Sequence, residues 1–69
     1  MKLSARNQLQ GTIKSIDIGA VMATVVIELA GGQEVVSAIT KDSIENLGLK
    51  KGESVVAVIK ATEVMVGKE

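Results

Sequence analysis

The run Val55-Val56-Ala57-Val58-Ile59 is apolar at every position. Its β-branched content predicts a strand, and a strand apolar on both faces has to be covered on both sides. This chain has little with which to do that. It has 69 residues, and a domain of this size buries only about 60% of the surface its unfolded chain exposes. The usual reinforcements are disulfides, a structural metal or oligomerisation. The sequence contains no Cys and no His, which removes disulfides and the common zinc sites. Yet 46% of the residues are hydrophobic, with a mean hydropathy of +0.35 and no aromatic residue. Self-association is the remaining way to cover so much aliphatic surface, and it is expected.

Other β-rich segments flank this run. Asn7–Ile18 alternates through Leu9, Gly11 and Ile13, then changes phase at Ile16 and Ile18. A phase change inside a strand predicts a β-bulge, which a tightly curved sheet needs. Gly19 ends that strand, and Ala20–Leu29 follows with Val21, Ala23, Val25, Ile27 and Leu29 on one face. Gly31-Gly32 signals a hairpin, with Val35–Ile39 returning. Val64–Val66 is expected to form a short last strand.

One short helix interrupts this pattern. Thr40 is placed to cap it, with Lys41, Asp42 and Ser43 in the first turn. Ile44 and Leu47 give a small apolar stripe. Gly48 suits a left-handed ending, with Leu49 folding back on Ile44. The resulting order, β-β-β-α-β-β, predicts an all-β single domain over residues 1–69. It suits a five-stranded Greek-key barrel of the oligonucleotide/oligosaccharide-binding type, with the helix between strands three and four.

Charge and residue types narrow the function. Eight Lys and Arg balance eight Asp and Glu, whereas nucleic-acid binders are normally basic and single-strand binders add aromatic platforms. No apolar run approaches the length of a bilayer span and no signal-peptide pattern opens the chain, so no membrane partner and a cytoplasmic location are expected. Without His or Cys the commonest bases and nucleophiles are missing. The scattered carboxylates read as a solvated surface, so enzyme activity is not expected.

What remains is a set of donors. Ser4-Ala5-Arg6-Asn7 precedes the first strand, Thr40–Ser43 opens the helix, and Lys60-Ala61-Thr62 follows the most apolar strand. Hydroxyls, backbone amides and the cations Arg6 and Lys60 could together hold a dianion. Each has a plainer reading. Thr40 and Ser43 serve equally as a cap and a surface hydroxyl, Lys60 as a solvated strand end, and Arg6 as a free terminal charge. The residues alone support an oligomeric β-barrel and leave open both an anion binder and a purely architectural or nucleic-acid-binding module of the same fold.

The opening Met1-Lys2-Leu3-Ser4-Ala5-Arg6-Asn7-Gln8-Leu9-Gln10-Gly11 resembles that of the molbindins, small molybdate-binding proteins once described as molybdenum-pterin-binding. The similarity continues through Gly19-Ala20-Val21-Met22-Ala23, Ala38-Ile39-Thr40-Lys41-Asp42-Ser43 and Lys50-Lys51-Gly52-Glu53. It closes with Ala57-Val58-Ile59-Lys60-Ala61-Thr62-Glu63-Val64-Met65. The resemblance implies a homohexamer, a trimer of dimers in which one subunit's strand completes its partner's barrel. It implies molybdate or tungstate as the ligand, with no organic cofactor and no metal ligated directly by the protein. Carried over by motif, Ser4, Ala5 and Arg6 of one subunit meet Thr40, Ser43, Lys60 and Ala61 of another, with Thr62 nearby. A second, axial site is assigned to Asn7 and the turn Gly19, Ala20, Val21 and Met22. Storage and homeostasis of molybdenum is the implied role.

Overall fold

A computed structural model describes residues 1–69 as four strands and one α-helix. The strands are β1 (Asn7–Ile18), β2 (Met22–Leu29), β3 (Glu34–Thr40) and β4 (Ser54–Ile59), and the helix α1 (Lys41–Leu47) lies between β3 and β4. All pairings are antiparallel, in the order β3-β2-β1-β4. Three consecutive strands followed by a fourth that returns beside the first is the Greek-key arrangement expected from the element order.

β1 organises the sheet because two partners share it. Its first half, Asn7–Thr12, pairs with β4, and its second, Gly11–Ile18, pairs with β2. The expected bulge is present. Ile13 faces Ile27 and Ser15 faces Val26, so Lys14 is the extra residue. The bulge turns Ile16 to the same side as Ile13, restoring the apolar face that the phase change would otherwise lose. The turn before β4 is tied to the same point, with the Gly52 N–H donating to Ile13 O (2.8 Å) and the Ile13 N–H to Glu53 O (2.9 Å). Gly11 lies where both partners converge. A Cβ there would stand 2.6 Å from Ile27 Cγ2 and 2.7 Å from the Glu28 carbonyl oxygen, so only glycine fits.

The helix forms as its sequence dictates. Thr40 Oγ1 accepts from the Ser43 N–H at 3.1 Å, and Gly48 adopts a left-handed conformation with φ 63°. The Leu49 N–H donates to Ile44 O at 3.1 Å, the long bond of a Schellman ending. Ile44 is buried, while Leu47 is 68% exposed, so one residue rather than a stripe docks the helix.

Two expectations need correction. β2 begins at Met22, not Ala20, because the Gly19 N–H donates to Met22 O (2.8 Å) and closes a turn around Ala20 and Val21. The fifth strand, Val64–Val66, does not form. A 3-10 turn over Ala61–Glu63 carries the chain away from β4, and Met65 and Val66 stand 93% and 94% exposed. A strand needs an edge to pair with, and this tail meets none in its own chain.

The consequence is an open, curled sheet instead of a closed barrel. The core is Ile13, Ala23, Val25, Ile27, Ile44 and Ala57, six buried residues of 69. That is too little to cover the aliphatic content, and Val58, in the all-apolar strand, remains 43% exposed. β3 and β4 are both edge strands. Between them opens a cleft lined by Val35, Val36 and Ser37 on one side and Val56, Val58 and Ile59 on the other. It adjoins a cavity of about 390 Å³ walled by Ile13, Val25, Ile27, Ile39, Leu49 and Val55.

Candidate functional site

That cavity is not where an anion would bind. Its wall is aliphatic apart from Ser37, and an ion moved there would lose its hydration without gaining donors. The donor groups lie elsewhere, at the ends of the strands.

The first group gathers at the start of β1. Asn7 and Ile59 form the last pair of the β1–β4 ladder, so Arg6 and Lys60 are the next residues on adjacent strands. Both are exposed, and neither has an ion-pair partner; the chain's one ion pair joins Lys14 to Glu34. Lys60 also begins the 3-10 turn, accepting at its carbonyl from the Glu63 N–H (2.9 Å), with Ala61 and Thr62 exposed just beyond. Ser4 is exposed and Ala5 half-buried. The Gln8 side chain holds this segment, its Nε2 donating to the Ala5 carbonyl at 3.0 Å. Sequence reasoning missed Gln8. The available signal was an amide side chain three residues after Ala5, within reach of that carbonyl.

The second group lies at the other end of the β1 ladder. Ile18 pairs with Ala23, Ala23 with Ile39, and Thr40 with Met22. Thr40 Oγ1 and Ser43 Oγ are 2.8 Å apart. Because Thr40 Oγ1 already accepts from the Ser43 N–H, its own O–H can donate to Ser43 Oγ, which leaves the Ser43 hydroxyl free to donate outward. Thr40 is exposed and Ser43 half-buried.

No hydrogen bond or ion pair joins the two groups within the chain. Lys60, grouped by expectation with Thr40 and Ser43, stands beside Arg6 in the strand register. Most of these groups remain open to water, where charges interact weakly.

The residues assigned to a second site are also divided. Asn7, half-buried, opens β1, whereas the Gly19–Met22 turn closes the far end. Within that turn the Gly19 N–H is bonded to Met22 O and the Val21 carbonyl to the Lys41 N–H (2.7 Å). Ala20, Val21 and Met22 present exposed side chains. No three His, Cys, Asp or Glu come together to ligate a metal, and no helix is long and apolar enough to cross a membrane.

A Greek-key antiparallel sheet with one short helix before its fourth strand, curled but open and carrying donor-rich exposed ends, defines a small all-β domain. The TOBE domain profile matches residues 3–66. Molybdenum-pterin-binding protein 3 of Clostridium pasteurianum is 53% identical over 66 residues, spanning 96% of this chain and 97% of that protein. A molybdate-binding protein from Sporomusa ovata superimposes with a TM-score of 0.92 at 48% identity, covering 99% of this chain and all of the other. The cytoplasmic molybdate-binding protein ModG, solved with molybdate bound, gives a TM-score of 0.84 at 54% identity over 88% of this chain and 43% of that one. The chain belongs to the TOBE-domain family, among its small Mop-type members, the molbindins. The names of these relatives describe binding and not a reaction.

Proposed function

We propose that this protein binds molybdate or tungstate as an intact oxyanion between subunits of a homohexamer, and serves molybdenum storage and homeostasis in the cytoplasm. The observation that carries this reading is a site divided into exposed halves, in a chain that matches a molybdate-binding protein along its whole length. Ser4, Ala5 and Arg6, with Lys60 and Ala61 beside them in the strand register, meet Thr40 and Ser43 of a neighbour, with Thr62 at the margin. Asn7 and the Gly19–Met22 turn form a second site on the threefold axis.

The donor set supports a fully deprotonated dianion. Hydroxyls, amides, a guanidinium and an ammonium can all donate, and no carboxylate is hydrogen-bonded to any of them. Phosphate near neutral pH retains a proton for which this set offers no carboxylate acceptor, and a buried donor left unmet costs about 1–3 kcal/mol. Molybdate and tungstate have no such proton. Sulfate has none either but is smaller, so it must be rejected by the size of the closed site.

The open sheet supports the assembly. A strand from a second copy seated between β3 and β4 would pair with both free edges and cover the cleft. The tail Val64-Met65-Val66, apolar, exposed and unpaired, is suited to that role. Titration calorimetry with molybdate, tungstate, sulfate and phosphate tests the proposal. Heat with the first two and none with phosphate is expected; no heat with molybdate sinks it.

A further inference from the structure

Ser37 is the one polar side chain on the aliphatic wall that the cavity and the β3–β4 cleft share. It pairs with the buried Val25 in the β2–β3 ladder, so its hydroxyl points inward with that side chain. It is half-buried and forms no side-chain hydrogen bond within the chain. In the open sheet water can meet it. A strand seated in the cleft displaces that water, and a covered hydroxyl then needs a new partner.

The tail holds one candidate. Of residues 60–69, Thr62 alone carries a hydroxyl, and in extended backbone it shares a face with Val64 and Val66. The 3-10 turn that now contains it is loosely closed, since the bond from the Val64 N–H to Ala61 O is stretched to 3.4 Å. We infer that Ser37 fixes the register in which the tail of a second copy enters the cleft, through a hydrogen bond between its hydroxyl and that of the partner subunit's Thr62. The inference rests on the reading that copies associate through Val64-Met65-Val66. Apolar contacts alone distinguish registers poorly here, because the other residues lining the cleft are all hydrophobic. A slip by one residue turns the partner subunit's Thr62 to the opposite face, and a slip by two sets a valine against Ser37. Either leaves both hydroxyls unmet.

The test is a double-mutant cycle on the full-length chain without anion, using Ser37→Ala, Thr62→Val and the two together. Native mass spectrometry over a dilution series gives the association constant of each. Each single change should lower it about fivefold, the loss of one hydrogen bond. The double variant should be no weaker than either single one, because the second change removes a hydroxyl already left without its partner. Thr62 is exposed, so Thr62→Val tests the bond without touching the chain's own core. A Thr62→Val protein that associates as the wild type does, or losses that simply add in the double variant, overturns the inference. A wild type that stays monomeric at every concentration overturns the association reading beneath it, which is a separate and distinguishable failure.

Discussion

Asn7 and Ile59 face each other at the last rung of the β1–β4 ladder, and the next residue on each strand is a cation, Arg6 and Lys60. Two positive charges without a carboxylate partner repel each other across adjacent strand ends. A shared dianion relieves that repulsion, as does separation of the two side chains onto anions held with different neighbours.

Both cations should therefore matter for binding more than for folding. Arg6→Gln and Lys60→Met are each expected to weaken molybdate binding by about 10- to 100-fold, the range of a charge-assisted hydrogen bond. Their unfolding midpoints without anion should equal or exceed that of the wild type. Calorimetry and thermal denaturation on the same samples check this.

Thr40 has two separable tasks. Its Oγ1 caps α1 by accepting from the Ser43 N–H, and it shares a hydrogen bond with the Ser43 hydroxyl. Thr40→Ala should cost about 1 kcal/mol of stability through the lost cap and weaken the anion as well. Thr40→Asp retains a good cap but adds a negative charge, so it should keep the stability and abolish binding. Urea unfolding paired with titration separates the two effects.

Gly11→Ala should be among the most disruptive single changes. The added methyl meets Ile27 Cγ2 and the Glu28 carbonyl oxygen, one a packed side chain and the other backbone. Overpacking of this kind typically costs about 1–3 kcal/mol. Because Gly11 is shared by β2 and β4, amide exchange should quicken on both ladders.

Lys14, the bulge residue, reaches past β2 to Glu34 on β3. Its hydrogen bond to Glu34, with the charge of that carboxylate, raises its pKa above the ordinary 10.5. A raised folded pKa means the stabilisation is fully present below 10.5 and disappears as pH climbs through the folded value. Both groups are exposed to solvent, so the effect is small. The difference in thermal midpoint between the wild type and Lys14→Met should be constant around neutral pH and vanish at strongly alkaline pH.

Much of the fold was legible in the residues. Gly31-Gly32, the phase change at Ile16 and the Thr40-to-Leu49 helix signals each act over a few neighbours, and each forms as read. Val64–Val66 failed as a strand for the opposite reason. Its β-branched character reports a preference for extended backbone, but a strand exists only beside an edge, and the free edges of β3 and β4 are not reached by this tail. The proposed site rests on resemblance. Hydroxyls and lysines at strand and helix ends are ordinary surface groups by themselves, and their meaning depends on a neighbour the local sequence does not encode. Gln8 was overlooked because it is an exposed polar residue in a strand, and only the fixed register of β1 gives its bond to Ala5 significance.

The central claim is that one chain carries two half-sites and that subunit association completes them. Native mass spectrometry of the wild type, across a dilution series with and without molybdate, tests it most directly. The account predicts hexamers that retain molybdate, monomers that retain none, and hexamers that persist to greater dilution when the anion is present, as linkage requires. Molybdate carried by isolated monomers, or an oligomer whose dilution behaviour ignores the anion, would contradict it.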